Sequence, residues 1–452
     1  MGMKSSAIAV TPLFGIRNKQ MRIFATACLM GILAVRHAAA IGDLDNGVWV
    51  GYQGWHLAKG DGSRLNQWKH WFEKNVPDAE HLHGDQWPGG WDEYGSNKLH
   101  ATQMHYPDGR PVSVYSSYDF ETVDLHVKWM KEYGIQGAYL QRQQNLIEKP
   151  QEKEWRDTVA RNMQKACEKH GVKFAIMLAN NAKTPEENSG FSQRIINDWK
   201  HLVDELQITA SPSYARQEGR PVVAMWGFGN ADRPITPAEA QTVVDFLTKG
   251  PDKYRAYVVG GVAREFLAKS PNSAPLGDWL AVYETLDMIT PWRGVQHVNT
   301  GAAAAKRMVD TLVAEKAWCD KRGIEYMPVV FPGGSARGTK DTQLNNYPRR
   351  AGQYLWEQVN VVFRDVFNER EVKYLYVAMF DEIDEGSAVY KTAARTTDLP
   401  RPGEMVHNNF DTIGIPPRLH NLPEDWYLRL CAEIQSIMEN KKSITSDIPI
   451  NP

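Results

Sequence analysis

Short apolar runs alternate with amphipathic stretches along most of this chain, and the alternation is regular enough to predict an architecture. Val48-Trp-Val-Gly-Tyr52 is the first run. From Phe120 to Tyr133 apolar residues recur at helical spacing (Val123, Val127, Met130), and Gly134 stops that pattern ahead of the run Ile135 to Leu140. Glu154 to His170 is again helical, ends at Gly171 and leads into Val172 to Ala179. The same order recurs further on. A helix around Ser192 to Leu206 precedes Pro221 to Trp226, and one from Pro237 to Leu247 precedes Tyr254 to Val259. Leu286 to Thr290 is followed by a helix from about Gly301 to Arg322 and the run Tyr326 to Phe331. Gln353 to Asn368 comes before the last run, Tyr374 to Phe380.

Near-continuous apolar strands separated by helices belong to parallel sheets buried on both faces. Eight of them predict an α/β fold, a closed (β/α)8 TIM barrel, with its working face at the C-terminal ends of the strands. An open doubly wound sheet is the structural alternative, but no glycine-rich phosphate loop follows the first run. Such a barrel needs about 250 residues. The surplus is assigned to long loops on the C-terminal face, above all residues 53–118.

The first forty residues break the pattern. Arg17, Lys19 and Arg22 precede the apolar run Ile23 to Val35, and Ala38-Ala-Ala40 offers small residues for cleavage. Residues 1–40 are therefore expected to be a signal peptide, and the protein to be secreted or periplasmic with no membrane span. Residues 41–440 form the expected single domain and 441–452 a tail. Five of the 52 basic residues and none of the 54 acidic ones lie in that leader, so the remainder carries 47 against 54. An acidic balance argues against nucleic acid as a partner. Cys167, Cys319 and Cys431 are too few and too far apart for a disulfide framework or a metal site, and read as buried thiols.

Candidate chemistry concentrates where the eighth strand should end. Phe380-Asp-Glu-Ile-Asp-Glu-Gly386 places four carboxylates in five positions. Two acids in one cleft can be driven to different pKa values, one ionised and one protonated, which is the division of labour of glycoside hydrolysis. Helix capping is the plainer reading of such acids. Aromatic usage favours the functional one, because six of the fifteen tryptophans (Trp49, Trp55, Trp68, Trp71, Trp87, Trp91) fall early in the chain, mostly in the predicted long loop. Indole faces suit sugar rings. Most of the six are expected to form a satellite core, with Trp55 the best ligand candidate. By their position after or near strand ends, Gln53, Gln141, Arg142, Asn180, Tyr214, Trp226, Asp287 and Trp292 are expected to line the substrate site. His81-Leu-His83-Gly-Asp85 has the spacing of a metal pair but follows no strand, so no metal is assigned. No Gly-x-Ser-x-Gly elbow lies at a strand-to-helix turn.

Ser116 to Gly137 resembles the early helix and second strand of glycoside hydrolase family 99 and of its relative family 71. Phe380 to Gly386 resembles the family 99 catalytic segment Trp-Asn-Glu-Trp-x-Glu-Gly, whose glutamates are three apart as Glu382 and Glu385 are. Gly51-Tyr-Gln-Gly-Trp55 with Trp68-Lys-His-Trp71 is similar to the opening of secreted bacterial proteins related to families 71 and 99. The resemblance implies a retaining glycosidase acting on an α-linked oligo- or polysaccharide, of endo-α-mannosidase, mannanase or α-glucanase type, as a monomer without a cofactor. It also implies participation by the substrate's own 2-hydroxyl. One glutamate, by position Glu382, removes the hydroxyl proton, and Glu385 serves as acid and then base. Spacing alone leaves the two roles interchangeable. Asp381 is expected beside them as a binding or capping group. Phe380-Asp381 and Ile383 replace the family's Trp-Asn and second Trp, which leaves the sugar open. The rival class is a silent carbohydrate-binding barrel or glycan receptor.

Overall fold

The computed structural model describes residues 42–452 apart from 96–97, 269–270, 272, 293–301 and 336–343. The predicted leader 1–40 lies outside the described residues. One compact unit, Asp43–Pro452, contains everything that follows.

Among the described residues twelve strands occur in chain order: β1 (Gly47–Tyr52), β2 (His100–His105), β3 (Pro111–Val114), β4 (Gly137–Gln143), β5 (Lys173–Ala179), β6 (Arg216–Gln217), β7 (Arg220–Phe228), β8 (Tyr257–Val262), β9 (Met288–Pro291), β10 (Glu325–Tyr326), β11 (Val329–Val330) and β12 (Tyr374–Val377). Nine of them form a curled parallel sheet in the order β10-β9-β8-β7-β5-β4-β1-β12-β11, with β6 antiparallel on β7. All eight apolar runs contribute to it. Their residues are buried on both faces because helices cover the outside, including Phe120–Glu132, Pro150–His170, Phe191–Asp204 and Pro237–Lys249.

Local sequence explains the helix ends. Glu239 N donates to Thr236 Oγ1, Thr236 N donates to the Glu239 carboxylate, and Pro237 opens the helix between them. Gly171, at φ +69°, closes Pro150–His170 in the left-handed conformation that glycine adopts at no steric cost.

The run predicted over 326–331 is split. Pro328 has no N–H to give, so β10 pairs with β9 and β11 pairs with β12, with only Met327 and Pro328 between them. Even so, Tyr376 N donates to Pro328 O at 3.0 Å. The fifth run is also displaced. Asp252–Tyr254 forms a single tight turn, and the strand runs instead from Tyr257 through Gly260 and Gly261 to Val262.

Between β1 and the first helix, residues 53–119 fold back as a layer of their own, with the β2–β3 ribbon at its edge. Trp68, Trp71 and Trp87 are buried in it, and Tyr94 and Tyr115 stack within it at 5.2 Å. The expected satellite core is instead continuous with the main core, because Tyr115 packs on His126 and Tyr94 on Trp129 of the first helix. Residues 441–452 lie against the body, with Ile444 and Ile448 buried and Trp356 Nε1 donating to Thr445 O. Cys167, Cys319 and Cys431 are buried free thiols. No helix among the described residues is long and apolar enough to cross a membrane.

Candidate active site

Parallel register puts the C-terminal ends of the strands on one rim, and the chain after β12 crosses that rim in contact with the chain after β1. Val50 pairs with Val377, and Phe380 N then donates to Gly51 O at 2.7 Å. The approach is close enough that a Cβ on Gly51 would lie 2.3 Å from Tyr376 Oη and from Met379 Sδ, so any larger residue would have to displace both side chains. Beyond Phe380 a side chain takes over from the backbone ladder. The Asp381 carboxylate accepts from Gln53 N at 2.7 Å and Gly54 N at 2.9 Å. Burial pushes its pKa up, and these two amide bonds oppose the rise, leaving it at about 6.

Gln53, fixed in this way, donates through Nε2 to Glu382 Oε1 at 2.9 Å, and Ser387 Oγ donates to Glu382 Oε2 at 2.8 Å. A carboxylate that accepts on both oxygens is held as an acceptor and can take a proton from a substrate hydroxyl. Glu385 is half-buried on the same turn, where Ser335 N donates to its carbonyl at 2.6 Å. Both glutamates line one cavity of about 240 Å³ together with Gln53, Trp55, Gln141, Gln143, Ala179, Asn181, Trp226, Arg233 and Trp292. Trp226 and Trp292 meet edge to face at 5.8 Å. The wall is thus amide and indole with one guanidinium, Arg233, and an acid pair at one side, and such a surface suits a polyhydroxylated ring.

Asp384, the fourth acid of the segment, turns away from the cavity into a nest of histidines. His56 Nε2 lies 3.0 Å from Oδ1, His70 Nδ1 2.7 Å from Oδ2, and His83 Nε2 3.7 Å from Oδ2. Burial opposes its ionisation, but His70 and His56 hold it well below the usual carboxylate range. His70 in turn stacks flat on Trp55, with centroids 4.0 Å apart and planes within 5°. Asp384 therefore anchors the ring that backs the cavity's Trp55.

Seven of the sequence-predicted residues meet here: Gln53, Trp55, Gln141, Trp226, Trp292, Glu382 and Glu385. Five do not line the cavity. Arg142 points to the helix side of the sheet, where Nε donates to Asp198 at 2.6 Å and Nη2 to Asp157 at 2.8 Å. Asn180 is buried, bonded to Asn188 Oδ1 at 2.6 Å and accepting from Ala182 N. Tyr214 and Asp287 lie at the opposite rim, before their strands rather than after them. The Tyr214 hydroxyl donates to Val222 O at 2.7 Å, while Asp287 accepts from Arg220 and from Val258 N. Asp381 is buried beneath Gln53 and acts through it. His81 faces Asp78 at 2.8 Å while His83 turns toward Asp384, so the His-x-His pair does not converge. Among the described residues no cluster of His, Cys, Asp and Glu is arranged to hold a metal ion.

Gln143, Asn181 and Arg233 join the cavity without having been predicted. Strand alternation could have found the first, since side chains two apart share a face and Gln141 was already assigned to it. Arg233, in the loop after β7, carries no sequence signal.

No family model matches the chain, and no curated protein does. Two solved structures of the endo-alpha-mannosidase of glycoside hydrolase family 99 from Bacteroides thetaiotaomicron, one in complex with bis-tris propane, superpose on it with a TM-score of 0.58. They are 14% identical and cover 88% of this chain and 98% of that one. A glycoside hydrolase-like protein gives a TM-score of 0.47 at 14% identity, over 81% of this chain and 98% of that one. This chain shares its α/β fold with the family 99 glycoside hydrolase.

Proposed function

We propose that the protein is a glycoside hydrolase that cleaves an α-linked glycan with retention through the substrate's 2-hydroxyl. One observation carries the reading: Glu382 and Glu385 line a single cavity walled by three indoles and by neutral amides. In the first step Glu382 takes the proton of the 2-hydroxyl as O2 attacks C1. The C1–O bond to the leaving sugar breaks, and the leaving oxygen takes the proton of Glu385, giving a 1,2-anhydro sugar. In the second step water attacks C1, Glu385 takes the water proton, and Glu382 returns its proton to O2. Two inversions give retention.

The assignment of base to Glu382 is supported by the two donors, Gln53 and Ser387, that favour its acceptor form. We further propose that the curled sheet works as a complete eight-stranded barrel, with 325–330 as a seventh strand shared between its two edges. The leader-like order of residues 1–40 supports export to the periplasm or the medium.

Incubation with a panel of α-linked mannans, glucans and pentosans, with product anomers followed by NMR, tests the reaction. Release of the α-anomer first, and no cleavage of a substrate methylated at O2, is the expected result. An inverted first product, or undiminished cleavage of the methylated substrate, overturns the mechanism. Binding without turnover in every case, with binding retained in Glu382→Gln and Glu385→Gln, replaces the enzyme with a glycan receptor.

A further inference from the structure

Among the described residues lining the cavity, Arg233 is the only cation, and no carboxylate hydrogen-bonds to it. Among the described residues its near carboxylate is Asp232, with Oδ1 3.8 Å from Nε, beyond hydrogen-bond reach. Asp232 is itself taken by Lys183, whose Nζ donates to Oδ2 at 2.6 Å. Arg233 and Lys183 thus share one exposed anion. Nε and Nη1 of Arg233 are buried with no hydrogen-bond partner, while the guanidinium rests 5.0 Å above the Trp226 ring. A side chain with five donors in a fixed fork is seldom left so poorly satisfied, because each buried donor without an acceptor costs about 1–3 kcal/mol. Burial pulls its pKa below the ordinary value, and Asp232 only partly opposes the fall.

We propose that Arg233 is the anion-binding element of the cavity, and that the glycan cleaved here carries a negatively charged substituent, a carboxylate or a sulfate ester, on the sugar that stacks against Trp226. This inference rests on the glycosidase reading for its substrate, and on Arg233 alone for its charge.

Sheet order supports the placement. Arg233 follows β7, and β5, β4 and β1 separate β7 from β12, whose end carries the acid pair. An anionic group bound at Arg233 is therefore held on the wall away from Glu382 and Glu385. Trp226 and Trp292 form a corner at that wall, so one ring face can stack while its substituent meets the guanidinium.

The test compares matched probes on the full chain by NMR titration. Methyl α-D-glucuronoside and methyl α-D-glucoside 6-sulfate are each set against methyl α-D-glucoside, with wild type, Arg233→Gln and Arg233→Lys. At least one acidic probe should bind about tenfold more tightly than the neutral one, the worth of one charge-assisted bond. That ratio should fall to within twofold in Arg233→Gln, stay intermediate in Arg233→Lys, and shrink in wild type as salt is raised. Preference for the glucuronoside alone assigns the site to uronic acids, and preference for the sulfate alone assigns it to sulfated sugars. Reading the ratio cancels any general loosening of the pocket. Equal binding of all three probes, or a preference that survives in Arg233→Gln, overturns the proposal. Turnover of the glycan panel is scored separately, so a cleaved neutral glycan with no acidic preference refutes the anion site and keeps the enzyme. An Arg233-dependent preference without turnover does the reverse.

Discussion

Two groups of buried carboxylates flank β1, one at the end of β12 and one behind β4, and they are held in opposite ways. Behind β4, Asp157 and Asp198 share the guanidinium of Arg142, with Gln144 completing Asp198 and His201 completing Asp157. Burial opposes the charge on Arg142, yet its two aspartates keep it fully protonated. At the end of β12, Glu382 accepts on both oxygens, from an amide and from a hydroxyl, which orient its carboxylate at the cavity wall. The difference teaches where reactivity can reside. A charge closed within a buried ion cluster fastens strand to helix, whereas a carboxylate oriented at a cavity wall can meet a substrate.

Replacing the cavity acids should break the comparison most sharply. Glu382→Gln and Glu385→Gln are each expected to lower kcat on a cleaved glycan by about 10²–10⁴-fold, the usual worth of a positioned acid or base. Stability should change by no more than about 1 kcal/mol, because Gln53 can reorient its amide and Ser387 its hydroxyl. Steady-state kinetics beside chemical denaturation reads both. A loss of folding that matches the loss of rate would assign these glutamates to the scaffold.

The converse holds for Arg142→Met. It leaves two buried aspartates without their cation and should cost about 3–5 kcal/mol of stability. The kcat of the molecules that remain folded should be unchanged within about twofold, since Arg142 is bonded to Asp157 and Asp198 on the helix side of the sheet, away from the cavity. The double variant Arg142→Met with Asp198→Asn should recover part of the loss. Urea unfolding followed by tryptophan fluorescence gives the numbers.

Between these extremes lies the Asp384 nest, a closed charge cluster that also touches the cavity through His70 and Trp55. Removing the stacked ring with His70→Ala should raise KM about 3–10-fold with little change in kcat, the 0.5–1.5 kcal/mol of one aromatic pair. His70→Phe should restore most of the KM, because stacking is what the indole loses. An effect confined to kcat would mean that His70 acts on the reacting atoms.

Much of the arrangement was legible because period and position are local signals. Eight apolar runs marked the sheet, and the acid segment at the end of the last run marked the cavity. Errors arose where position was used without direction. Gln141 and Arg142 follow one another on β4, so strand alternation sends one to the cavity and the other to the helices, and brings Gln143 back. Asn180 and Asn181 divide in the same way. Tyr214 and Asp287 were read as following strands when they precede them, which moves them to the other rim. Arg233 and His70 were not legible at all. Each depends on how a loop closes over the rim, and a contact such as His70 with Asp384, 314 positions apart, leaves no trace in periodicity.

The smallest effect separates two aspartates of the same turn by the sign of their pH dependence. Asp381 has its folded pKa raised to about 6 by burial, whereas an unfolded chain would titrate it near the ordinary 3.8. The native state therefore binds the more protons between these values. The stability that this adds is complete below about pH 4 and is lost as pH rises through 6. Asp384, held well below its ordinary value, contributes in the opposite sense: its stabilisation is present above about pH 4 and is lost only as the solution becomes strongly acidic. Asp381→Asn removes the first titration and leaves the second. The difference in Tm between wild type and Asp381→Asn should accordingly be larger at pH 4.5 than at pH 7 and flat above it. A difference that widens toward neutral pH would mean that the amide bonds from Gln53 and Gly54 outweigh burial. Asp381 would then stand with Asp384 as a permanently ionised anchor rather than a group that titrates beneath the cavity floor.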